Sequence, residues 1–97
     1  MKIIPKALIY EAFKWTGDEQ QIEDPEWMCD KIRNGDAYFV DSGTPDVVMH
    51  IKTDFGWQLV NRGQYIEHYK SGSIQARSEE YMKENYEMFD EDWNRVD

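Results

Sequence analysis

The sequence predicts a single small α+β domain, a mostly antiparallel sheet with one helix near residues 25–34 and a short helix near residues 78–86. Three observations carry this. Gly56 to Arg77 reads as three short strands joined by turns at Asn61-Arg62-Gly63-Gln64 and Lys70-Ser71-Gly72-Ser73, with aromatic and branched residues between glycine-bearing turns. Val47 to Thr53 alternates, with Val47, Met49 and Ile51 on one face and Val48, His50 and Lys52 on the other. Asp24 to Gly35 carries helix start and stop signals around an apolar stripe.

In chain order, residues 3–15 read as the first strand, with Pro5 near its start because proline cannot donate to a ladder. Ile9, Glu11, Phe13 and Trp15 share a face. Glu11 is the exception there, either a buried acid with a partner or a residue displaced by a bulge. Thr16-Gly17-Asp18 ends the strand. The first helix takes Asp24 as N-cap and Pro25 as first helical residue, with Glu26 at the positive end of the dipole. Met28, Cys29 and Ile32 form its apolar face, and Asn34-Gly35 is its stop.

Ala37 to Asp41 reads as a strand, Ser42 to Asp46 as a loop, and Asp54-Phe55-Gly56 as a turn into Trp57–Val60. Trp57, Leu59, Ile66, Ile74 and Ala76 are the expected inward residues. Ser78 caps the second helix, whose Tyr81 and Met82 face the sheet. From Glu87 the pattern dissolves, so residues 1–88 are read as the domain and 89–97 as an acidic tail.

Ninety-seven residues suffice for one modest core. The net charge of −9 disfavours phosphate-backbone binding and favours a basic partner. The charge is concentrated. Gly17 to Asp30 holds six acids and no base, and residues 79–97 hold eight acids against two bases. With one cysteine, Cys29, no intramolecular disulfide is expected. Met1 to Pro5 gains charge too soon for a secretory leader, and no apolar run approaches the roughly 20 residues of a membrane helix, so the expected location is cytosolic.

The sequence assigns no chemistry. A metal site would need His50 and His68 to meet across strands near Asp54 or Glu67, and both histidines read as outward. Ser42, Ser71, Ser73 and Ser78 lie in turns or caps, outside any nucleophile pattern, and the six glycines form no phosphate loop. No catalytic residue, metal or cofactor is expected, and the chain is read as a non-enzyme. Trp57, Tyr65 and Tyr69 would suit a base-stacking platform, but only Lys52, Arg62, Lys70 and Arg77 surround them, so core packing is favoured.

Several short motifs align in order over about residues 5 to 88: Pro5, then Glu11-Ala12-Phe13-Lys14-Trp15-Thr16-Gly17, Thr53-Asp54-Phe55-Gly56, Gly63-Gln64-Tyr65-Ile66, Gly72 to Ala76, and Tyr81 with Tyr86. In these the chain resembles a diverse group of short phage and prophage proteins without an assigned activity. It departs from them at Gln64, usually aspartate, at Ser73-Ile74-Gln75-Ala76, and in the acidic end beyond Met88. The resemblance implies a phage origin and a compact α+β fold, and supplies no catalytic residues.

The leading expectation is a phage accessory protein that inhibits a host nucleic-acid-handling defence enzyme, an anti-CRISPR or anti-restriction type, in the host cytoplasm. Its acids would fill a basic groove in place of phosphates. The residues expected to carry this are Asp90, Glu91, Asp92 and Trp93, then Glu79, Glu80 and Glu84. No direct nucleic acid and no membrane contact is expected. The alternatives are a nucleotide-binding module using Lys52, Arg62 and Arg77, or a minor virion component.

Overall fold

The structure, a computed structural model, describes residues 1–2, 9–18, 21, 23–89, 92, 94 and 95, with the backbone alone for Ile9 and Tyr10. The expected strand start at residues 3–8, with Pro5, lies outside them. In order the elements are β1 (Ile9–Lys14), α1 (Glu26–Arg33), β2 (Ala37–Val40), β3 (Val48–Thr53), β4 (Gly56–Val60), β5 (Tyr65–Tyr69), β6 (Ile74–Arg77) and α2 (Glu79–Asn85). The strands form two antiparallel sheets, ordered β1–β5–β6 and β2–β3–β4. The α+β class and both helices stand as expected.

The expected continuous meander does not form. β4 pairs back onto β3 through the Asp54-Phe55 turn, with Met49 opposite Val60 and Ile51 opposite Gln58. The Asn61–Gln64 turn then carries the chain to the other sheet. It docks on the end of β1: Gly63 N–H donates to the Trp15 carbonyl (2.8 Å) and Trp15 N–H to the Gln64 carbonyl (2.9 Å). Arg62 fastens the junction, its Nε donating to the Thr16 carbonyl (2.8 Å) and its Nη2 to Asp18 (2.7 Å). Gly17 sits under it with φ +72°, where a Cβ would lie 2.8 Å from Arg62 Cγ.

That β3–β4 register overturns the expected facing of Trp57 and Leu59. Opposed residues share a face, so Gln58 and Val60 join Ile51 and Met49 inside, while Trp57 and Leu59 project outward beside Lys52 and His50. Ile66, Ile74 and Ala76 are buried as expected. With Phe13, Met28, Val47, Met49, Ile51 and Val60 they form the core between the sheets and α1. Each fully buried aliphatic side chain there is worth about 1.5–3 kcal/mol. Gln58 spans the sheets. Its Nε2 donates to the Ala76 carbonyl (3.1 Å) and its Oε1 accepts the Ala76 N–H (2.9 Å), which closes the free edge of β6.

A register shift, the bulge, lies between Ile9 and Glu11; Glu11, opposite His68, keeps the Phe13 face but is exposed, and it accepts a hydrogen bond from Trp27 Nε1. In α1 the cap is Pro25 rather than Asp24, and no side chain caps it. Asp24 instead accepts from Cys29 Sγ (3.3 Å). The stop at Asn34-Gly35 holds: Gly35 takes φ +79°, and the Gly35 and Asp36 N–H groups donate to the Ile32 and Lys31 carbonyls. In α2, Ser78 Oγ accepts the Tyr81 N–H (3.1 Å) and Met82 is buried.

Candidate functional site

Three places are candidates: the acidic side of α2, the buried polar cluster around Glu67, and the outer face of β2–β3–β4.

Of the expected contact residues, Asp90, Glu91 and Trp93 lie outside the described residues. Asp92 is exposed, and its neighbours Phe89 and Arg95 form an isolated antiparallel bridge. Glu79 is already neutralised. Lys14 Nζ lies 3.1 Å and Lys83 Nζ 3.8 Å from its Oε1, and the Lys14 hydrogen bond and charge hold its carboxyl below the usual range. Glu80 and Glu84 differ. They stand exposed at i and i+4 of α2, and neither has an ion-pair partner among the described residues. In the other acidic stretch Asp18 is paired with Arg62 and Asp30 with Arg33 (3.0 Å).

On the face of β5 opposite the core lies a charged group that the sequence reading did not single out. Glu67 is fully buried. Its Oε1 accepts from Arg77 Nε (2.9 Å) and Tyr69 OH (2.8 Å), and its Oε2 meets no donor within hydrogen-bonding geometry among the described residues. Burial, then the Glu67 carboxylate, pushes the Tyr69 hydroxyl up to about 12. The Tyr86 hydroxyl is also pushed up, by burial and then by the Glu67 charge. The Arg77 guanidinium stacks 4.6 Å over the Tyr81 ring, joining helix to sheet. Tyr-Ile-Glu-His-Tyr alternates like a half-exposed strand; the glutamate is buried among Tyr69, Arg77 and Tyr86, which strand periodicity does not register.

The outer face of β2–β3–β4 consists of the pairs Tyr38–His50, Val40–Val48, His50–Leu59 and Lys52–Trp57. Tyr38 stacks on His50 at 5.0 Å and meets Trp57 edge-on at 5.4 Å. This face carries no carboxylate in a chain with 20 acids. The strand alternation exposed His50 and Lys52; the expectation that Trp57 and Leu59 were core hid the patch.

Other expected arrangements do not assemble. Tyr65 and Tyr69 lie on β5 of one sheet and Trp57 on β4 of the other, so they form no platform. His68 is not outward: it shares the Ile66 face and stacks on Trp27 at 4.5 Å, and burial lowers its pKa. The bases of the nucleotide reading are dispersed. Arg62 is spent on Thr16, Pro45 and Asp18, Arg77 on Glu67, and Lys52 lines a groove of about 410 Å³ together with Lys31, Asp36 and Asp54. Asp24 raises the Cys29 pKa, the wrong direction for a nucleophile. Among the described residues no three His, Cys, Asp or Glu side chains converge as a metal set, and no helix is long and apolar enough to cross a membrane.

The fold defines a small α+β protein of two antiparallel sheets and two helices. Compared with protein families, curated proteins and solved structures, the chain matches none.

Proposed function

We propose that this is a phage-encoded accessory protein that acts by binding, and that it inhibits a host nucleic-acid-handling defence enzyme in the host cytoplasm. Its carboxylates enter a basic groove of that enzyme in place of phosphates. The observation that carries the reading is the Glu80–Glu84 pair. Like charges at i and i+4 destabilise a helix by a few tenths of a kcal/mol. Nearby Glu79 is neutralised by two lysines, whereas Glu80 and Glu84 are exposed and meet no cation among the described residues. A basic partner supplies the missing charge. Asp90, Glu91, Asp92 and Trp93 follow α2 in sequence and extend the acidic run. Complementary charge speeds encounter and makes binding salt-sensitive.

The test is capture from bacterial host lysate, read by mass spectrometry, with the intact chain and with Glu80→Lys/Glu84→Lys, at low and high salt. The reading expects a nucleic-acid-handling enzyme that is held at low salt and released by high salt or by charge reversal. Capture that ignores both changes refutes the acidic contact.

A further inference from the structure

The aromatic face of β2–β3–β4 plays no part in the acidic contact. We propose that it is the docking surface for a second copy of this chain, giving a symmetric dimer.

The first support is area. Tyr38, Val40, Phe55, Trp57 and Leu59 are 47%, 38%, 91%, 52% and 48% exposed, with Phe55 at the tip of the β3–β4 hairpin. At about 200 Å² for a fully exposed large side chain, these five show roughly 550 Å². That is the upper end of what a monomer leaves bare, roughly 300–600 Å². Two such faces bury about 1,100 Å², past the ~1,000 Å² expected of a specific interface, when both Phe55 hairpin tips join the contact; the four strand residues alone supply about 740 Å².

The second is charge. Lys52 is the one formally charged residue on the face, while Asp41 and Asp46, exposed and outside every described ion pair, lie in the β2–β3 connection at the sheet's end. In a two-fold arrangement each copy's Lys52 can meet carboxylates of the other, and no carboxylate is buried in the centre. The third is geometry. Tyr38, His50 and Trp57 already brace one another by ring contacts, so little side-chain freedom is lost on docking. Trp and Tyr are also the residues that most often anchor interfaces.

The two contacts respond to salt with opposite sign. Two copies at −9 repel, and that repulsion outweighs the Lys52 pairs at the rim, worth at most about 1 kcal/mol each, so screening strengthens the dimer, whereas it weakens an acidic contact with a basic partner. The experiment is analytical ultracentrifugation of the intact chain over a wide concentration range at low and high salt, with Trp57→Lys, Leu59→Lys and Glu84→Lys. We expect a concentration-dependent dimer that tightens with salt. Either face variant raises its dissociation constant at least about tenfold while still unfolding cooperatively. Glu84→Lys, off the face, does not weaken it. A chain that stays monomeric at every concentration and salt overturns the proposal and hands the face to a different protein. Face variants that dimerise like the wild type overturn it equally. Failure of either result leaves the capture experiment with Glu80→Lys/Glu84→Lys untouched.

Discussion

Arg77→Met removes the guanidinium that neutralises Glu67. Taking one partner from a fully buried ion pair costs about 3–5 kcal/mol, because the remaining charge is stranded. The Arg77 side chain keeps 32% exposure against 1% for Glu67, so water replaces part of the lost interaction, and we scale the loss to about 2–3 kcal/mol. Losing the contact with the Tyr81 ring adds about 0.5–1 kcal/mol. Roughly 3 kcal/mol is therefore expected. In urea unfolding followed by tryptophan fluorescence, an m-value of about 1.5 kcal/mol/M turns that into a midpoint some 2 M lower. Glu67→Gln added to Arg77→Met should restore part of the loss, since a buried amide costs less than a buried carboxylate. An Arg77→Met midpoint within about 0.5 kcal/mol of the wild type, or a double variant no better than the single, would refute the ion-pair account.

Other outcomes follow from the same structure. Gly17→Ala forces a side chain into φ +72° and a Cβ to within 2.8 Å of Arg62 Cγ; it should lose about 1–2 kcal/mol for the backbone alone, read as a lowered melting temperature. Gln58→Leu strands the Ala76 N–H and carbonyl at the edge of β6 and should cost about 2–4 kcal/mol, with faster hydrogen exchange at the Ala76 amide. The Tyr69 hydroxyl, ordinarily at 10, is raised to about 12 in the folded state, so its contribution is complete below pH 10 and is lost as pH rises toward 12. Tyr69→Phe should flatten that alkaline limb in a denaturation series.

Local signals made much of the fold legible. Ser78 caps α2, Asn34-Gly35 stops α1, and the alternation of Val47 to Ile51 faces inward as its periodicity implies. Glu11, as the polar residue on an apolar face, marked the bulge. What escaped was decided between elements. Trp57 and Leu59 looked like core by hydrophobicity, yet the two-residue Asp54-Phe55 turn set the register to β3 and placed Gln58 and Val60 inside. Gln58 tolerates that position because the Ala76 backbone meets both ends of its amide. Glu67 looked like a surface residue until Arg77 and Tyr69 closed on it, and His68 until α1 brought Trp27 over its ring. The acids of the proposed contact were legible only as a cluster. Composition found the acids, but only the side-chain placement separates neutralised Glu79 from outward-facing Glu80 and Glu84.

The most direct test of phosphate mimicry is competition. A basic partner captured by the intact chain would be titrated with its own duplex DNA or RNA while release of the chain is followed. The account predicts mutually exclusive binding, with Glu80→Lys/Glu84→Lys unable to displace the nucleic acid. A ternary complex, with chain and nucleic acid bound together at saturation, would contradict it.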